Sequence, residues 1–174
     1  EGPGESPSRG QSRRRARLAI SYKQCGLNLA ALSTVALKEI TMSILVRRSN
    51  LIVPITNSHF LQGAWRHNAD AVTLDLEDSV VDYRKEEART IVKDAIRMAA
   101  RGASEVFVRI NKTYAQADIE ASVWLGLAGI VLPRVESPEE VQESSQIIGG
   151  MEGSRGLEKG SVQLVLLLES AGAV

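Results

Sequence analysis

The sequence predicts an α/β fold, a (β/α)8 barrel of the TIM type truncated after about its fifth strand. Three observations lead there. Short, nearly continuous apolar runs alternate with amphipathic stretches of helical period, the pattern of a parallel sheet whose strands are buried on both faces. The runs begin near residues 51, 72, 106, 130 and 163, one β/α unit each. The first run leads into Pro54-Ile55-Thr56-Asn57, where a doubly wound nucleotide-binding sheet would place its glycine-rich turn. A closed barrel takes about 250 residues, so residues 42–174 are expected to hold only the first five units.

The elements follow in order. Residues 1–41 read as a leader without a core: from Ser6 to Lys38 there is no acidic residue, while Arg9, Arg13, Arg14, Arg15, Arg17, Lys23 and Lys38 are basic. This is the composition of an organellar transit peptide or of a disordered, non-native extension. Strands are expected at Leu51–Pro54, Ala71–Leu76, Val106–Ile110, Gly129–Leu132 and Val162–Leu168. Asn57 is placed to cap the first helix, with Phe60, Leu61, Ala64 and Trp65 as its apolar side. Ala88, Ile91, Val92, Ala95, Ile96 and Ala99 form one apolar stripe, which Gly102 would stop. A shorter helix fits Ala117–Leu125. Ser137-Pro138-Glu139-Glu140 has the form of a capping box with proline at the first helical position. The five glycines between Gly149 and Gly160 read as a flexible connection into the last strand.

Composition excludes several classes of function. The formal net charge is zero, so neither nucleic acid nor an anionic membrane is an expected partner. The single cysteine, Cys25, excludes a disulfide framework and a cysteine-rich zinc site. It points to a reducing compartment, hence a cytoplasmic location, or a mitochondrial one if residues 1–41 are a transit peptide. No apolar run reaches about 18 residues, so no membrane-spanning helix is expected.

Function in such barrels sits at the carboxyl ends of the strands. The second strand ends Leu74-Asp75-Leu76-Glu77-Asp78, the third Val108-Arg109-Ile110-Asn111, the fourth Leu132-Pro133-Arg134-Val135-Glu136 and the fifth Leu167-Leu168-Glu169-Ser170. Asp75 interrupts an apolar run and needs a cation or donor if buried. Glu77 and Asp78 either join it in a site or cap the following helix. Arg109, flanked by apolar residues, needs an anionic ligand or an ion pair with Asp75 or Glu77, and both can hold together. Glu169 is a carboxylate of the type that a hard cation such as magnesium prefers.

Taken in order, RRSNLIVP, ADAVTLDLEDSV, VRIN, GIVLPRVES and LLLESAGAV resemble the successive blocks of the HpcH/HpaI aldolase/citrate lyase family, in its CoA-ester lyase branch. The resemblance runs from about Val46 to Val174. It implies a (β/α)8 barrel, oligomeric when complete, that acts with Mg2+ on a carbon–carbon bond beside a thioester or keto acid. It further implies that Arg109 clamps the substrate, that Asp75 and Glu77 are the catalytic acidic pair at the rim, and that Glu169 is the first metal ligand. Arg48, or its neighbour Arg47, would approach the substrate. The substrate so implied is a 3-hydroxyacyl-CoA ester such as malyl-, citramalyl- or citryl-CoA. Free 2-keto-3-deoxy acids, or a barrel fragment without activity, are the alternatives. A second metal-ligand aspartate and a late catalytic aspartate would lie beyond Val174.

Overall fold

The computed structural model describes residues 46–171. The expected leader at 1–41 lies outside them. The described residues carry five parallel strands, β1 (Asn50–Pro54), β2 (Ala71–Asp75), β3 (Glu105–Arg109), β4 (Leu127–Leu132) and β5 (Gln163–Leu166). They are hydrogen-bonded in the sequential order β1-β2-β3-β4-β5. The crossovers contain α1 (Ser58–Gly63), α2 (Lys85–Ala99), α3 (Ala115–Ser122) and α4 (Pro138–Ser154), with 3-10 turns at Ala64–His67, Asp82–Arg84 and Lys112–Tyr114. This is the connectivity of consecutive β/α units of a barrel. All five strands fall where the apolar runs place them.

Side-chain alternation along the strands sorts two clusters. Val72, Leu74, Val106, Val108, Ile130 and Leu132 join the helix stripe of Ala88, Val92, Ala95, Ile96 and Ala99 in the main core. The alternate positions Ala71, Phe107 and Val131 form a smaller cluster on the opposite face, with Val165 packed against it. Parallel register puts equivalent residues side by side: Thr73 opposite Phe107 and Asp75 opposite Arg109. The ladder continues past the strand ends, with the Leu76 N–H donating to Arg109 O at 2.9 Å and the Leu167 N–H to Leu132 O at 3.0 Å.

Local signals explain most boundaries. The Asn57 side chain accepts from the Phe60 N–H at 3.2 Å, so it caps α1. Of the expected apolar side, Leu61 and Ala64 are buried, whereas Phe60 is 54% exposed. Ser137 caps α4 by accepting from the Glu140 N–H, while the Glu140 carboxylate returns to the Glu136 N–H, one residue before the usual target of a capping box. α3 spans 115–122 rather than 117–125.

Two expectations about glycines are corrected. Gly102 does not stop α2, which already ends at Ala99. It is needed because a Cβ there would lie 2.8 Å from the Trp65 carbonyl oxygen. Gly149, Gly150 and Gly153 belong to α4 and not to a flexible link. The capped start and the burial of Ile148 and Glu152 carry the helix through them. The remaining connection is pinned by Glu152, whose carboxylate accepts from the Gly160 and Val162 N–H groups, both at 2.8 Å. Burial pushes the Glu152 carboxyl up, but these donors outweigh it and hold it below the ordinary glutamate value.

Glycine in a helix carries an entropic cost, and a Cβ at Gly150 or Gly153 would meet nothing. Gly150→Ala and Gly153→Ala should each stabilise by about 0.4–1 kcal/mol, seen as a higher urea midpoint. Gly129→Ala should do the opposite, because its Cβ would stand 2.7 Å from Gln163 O and 2.8 Å from the Phe107 ring.

Candidate active site at the carboxyl ends of the strands

Asp75, the last residue of β2, is 1% exposed. A buried carboxylate is tolerated only when its lone pairs are answered, and here four donors answer them. Arg109 at the end of β3 supplies a two-pronged fork, Nε to Oδ1 at 2.8 Å and Nη2 to Oδ2 at 2.9 Å. The backbone N–H groups of Glu77 and Ser79 supply the others, at 3.0 and 3.1 Å. Burial alone would raise the Asp75 carboxyl, yet the Arg109 fork, Ser79 and the Glu77 N–H outweigh it and hold it below its ordinary value. The fork in turn raises the Arg109 guanidinium.

Glu77, two residues on, moves the other way. Burial and the neighbouring Asp78 charge push its carboxyl above the ordinary glutamate value, against the pull of Arg109 and Arg134. Arg109 Nη1 lies 3.4 Å from Glu77 and Nη2 lies 3.5 Å from the exposed Asp78. Neither acid caps a helix: α2 starts after an intervening 3-10 turn, with no side-chain cap.

Arg134, just past β4, completes the rim. Its backbone is left-handed, with φ of 50°. Its guanidinium reaches Glu77 at 3.3 Å, Asp78 at 3.5 Å and Glu169 at 3.8 Å. Asp75, Glu77, Arg109 and Glu169 are thereby brought to one end of the sheet in a single chain of ion pairs. With Asp78 included, four carboxylates face two guanidinium groups, a formal charge of −2 when all are ionised.

Arg48 is not part of it. It precedes β1 and pairs with Asp70, which precedes β2, at 3.3 Å. Since Asn50 lies opposite Ala71 in the parallel register, both occupy the amino end of the sheet. Arg48, expected as a substrate contact, is placed by the structure in a surface ion pair at that end, with its side chain 74% exposed. The fork from Arg48 holds the Asp70 carboxyl down to about 2. Arg47 stays at that end too, bonded to Glu105 and stacked over the Phe107 ring. Arg134 is the rim residue that the sequence reading passed over. A basic residue directly after Pro133 at a strand end, one strand along from Arg109, is the signal that marks it.

Removing one partner of a buried ion pair costs about 3–5 kcal/mol, so Asp75→Asn should be strongly destabilising at neutral pH. Because the folded-state value of Asp75 lies below its unfolded one, its stabilisation is fully present above the ordinary aspartate value of about pH 4. It is lost as the pH falls through the lower, folded value. Urea unfolding of wild type and Asp75→Asn between neutral and acidic pH should show the difference shrinking over that window.

A family model described as HpcH/HpaI aldolase/citrate lyase matches residues 48–174. The citrate lyase subunit beta of Leuconostoc mesenteroides subsp. cremoris is 33% identical over 129 residues, which cover 72% of this chain and 43% of that protein. The human protein named "Citramalyl-CoA lyase, mitochondrial" is 33% identical over 101 residues, covering 55% of this chain and 30% of its own length. The chain thus spans less than half the length of the curated relatives it matches. Among solved structures, Haloferax volcanii malate synthase in its magnesium/glyoxylate complex superposes with a TM-score of 0.61 at 18% identity. The match covers 71% of this chain and 43% of that one, and it bears on the fold. With the family model spanning all five strands and the rim they build, the chain belongs to the HpcH/HpaI aldolase/citrate lyase family.

Proposed function

We propose that the protein to which this chain belongs is a carbon–carbon lyase acting on a 3-hydroxyacyl-CoA ester of the malyl, citramalyl or citryl type, with Mg2+ as cofactor. The observation that carries the reading is the Arg109 guanidinium. It is held rigidly by the Asp75 fork at the carboxyl rim, among carboxylates that outnumber the cations. Relatives named for citrate lyase and citramalyl-CoA lyase support the substrate class.

The residues divide the work. Cleavage beside a carbonyl leaves an enolate, and preorganised positive charge aimed at that oxygen lowers the barrier. Arg109 offers such charge in a fixed orientation, since Asp75 locks its plane. Arg134, exposed and left-handed in backbone, stands beside it as a second cation for a carboxylate of the substrate. Glu77 is the rim acid that burial and the Asp78 charge hold above the ordinary glutamate value, which suits it to carry the exchanged proton.

Among the described residues no three His, Cys, Asp or Glu side chains converge as a ready-made metal cluster. The donor chemistry nevertheless suits a hard cation, which favours one or two carboxylates together with water and substrate oxygens. Glu169, half-exposed, and Asp78, more exposed, present such oxygens at the negatively charged rim. Glu169 would hold the ion. Magnesium, when bound, supplies further positive charge for the enolate.

The test is turnover by the full-length protein of CoA esters against free 2-keto-3-deoxy acids. The lyase reading expects the esters to be cleaved. Cleavage of the free acids alone would replace it with an aldolase. Arg109→Lys keeps the charge but loses the fork, and kcat should drop by about 100-fold or more. Glu169→Gln should abolish the response to added magnesium without loss of fold by circular dichroism. Arg48→Ala, at the far end of the sheet, should leave kcat and KM at wild-type values.

A further inference from the structure

Beneath the acidic turn lies a cation that the proposed chemistry does not use. Lys85, the first residue of α2, is 5% exposed. Its Nζ donates to two backbone oxygens, Leu76 O at 2.9 Å and Glu77 O at 2.7 Å. No carboxylate forms a salt bridge with it among the described residues. The placement is costly on two counts. A buried ammonium loses its hydration, and the first turn of a helix disfavours positive charge. A lysine kept there against both costs has to give something back at the site of its bonds.

Those bonds fall on the turn that builds the rim. The Glu77 carbonyl that Lys85 holds also accepts from the Val80 N–H at 3.2 Å. The N–H groups of Glu77 and Ser79 in the same turn are the two that fix the Asp75 carboxylate. Resting on the lyase reading above, we propose that Lys85 is the positioning residue of this rim. Its ammonium clamps the Leu76–Val80 turn so that Asp75 keeps its amide donors and Glu77 and Asp78 stay within reach of Arg109 and Arg134. Asp118 performs the matching task one strand along. Only 1% exposed, it accepts from the Asn111 N–H at 2.8 Å, just after β3, and from Arg89 on α2 at 3.0 Å. The two buried groups thus anchor the chain ends of β2 and β3 from below, while Asp75 and Arg109 join them from above.

The experiment compares wild type with Lys85→Met and Lys85→Arg. Methionine keeps the stem and loses every donor. Arginine keeps charge and donors. Amide hydrogen exchange of the full chain should accelerate about tenfold at Glu77 and Ser79 in Lys85→Met. Val72 and Val108, inside the sheet, should keep wild-type rates, and Lys85→Arg should restore much of the protection. In the full-length protein, kcat should fall about 10- to 100-fold with KM unchanged. If Lys85→Met does not fold, Lys85→Gln is read by the same exchange comparison. Unaltered exchange at Glu77 and Ser79, or acceleration spread evenly through the strands, overturns the assignment. The exchange measurement needs no substrate. A wild-type protein that cleaves no CoA ester therefore refutes the lyase reading by itself, while the role of Lys85 in the turn is decided separately.

Discussion

A carboxylate buried at the end of a strand has to be answered by donors, and at Asp75 that requirement organises the whole rim. Parallel pairing puts Asp75 opposite Arg109 in register, so the nearest long donor is on the neighbouring strand. The carboxylate also draws the Glu77 and Ser79 amides toward it, which folds the chain after β2 back over the strand end. That fold brings Glu77 and Asp78 to the same guanidinium, and Arg134 extends the chain of charges as far as Glu169 at the end of β5. Four strands are thereby linked at their carboxyl ends by side chains as well as by the ladder.

Two acids separated by one residue end with opposite tendencies. Both Asp75 and Glu77 are buried, and burial pushes each of them up. What separates them is the donor count: Asp75 has a complete set, whereas Glu77 faces Arg109 and Arg134 only at ion-pair distance and has Asp78 beside it. Environments that drive neighbouring carboxyls apart are the usual means by which one site holds a fixed charge and a mobile proton together.

The strands and the better-capped helices were legible because their signals are local. Apolar runs mark β1 to β5, and Asn57 and Ser137 do cap the helices they precede. The glycines misled because helix breaking is a propensity, and propensity yields to a strong cap and buried contacts at Ile148 and Glu152. At the site, Asp75, Glu77, Arg109 and Glu169 are readable as polar residues at strand ends, whereas Arg48, expected to approach the substrate, precedes its strand and lies at the amino end of the sheet. Arg134 needed knowledge of which strand ends adjoin. Lys85 and Asp118 were hidden in helical segments, where a charged residue normally faces water. The overlooked clue was spacing, since Lys85 continues the stripe of Ala88, Val92, Ala95 and Ala99 one turn backwards.

The pairing of Asp75 with Arg109 is also directional. Cross-strand ion pairs on a sheet surface can often exchange their two members with little loss, because each charge meets only the other. Here the chain after β2 presents N–H groups to whatever side chain occupies position 75. An arginine placed there would confront donors with donors, and an aspartate at position 109 would find no amide turned toward it by that bend. Swapping the two charges would thus preserve the sum and destroy the match. Strand order at this rim is written into the chemistry of the pair, so that β2 and β3 cannot trade roles even though their backbones are alike.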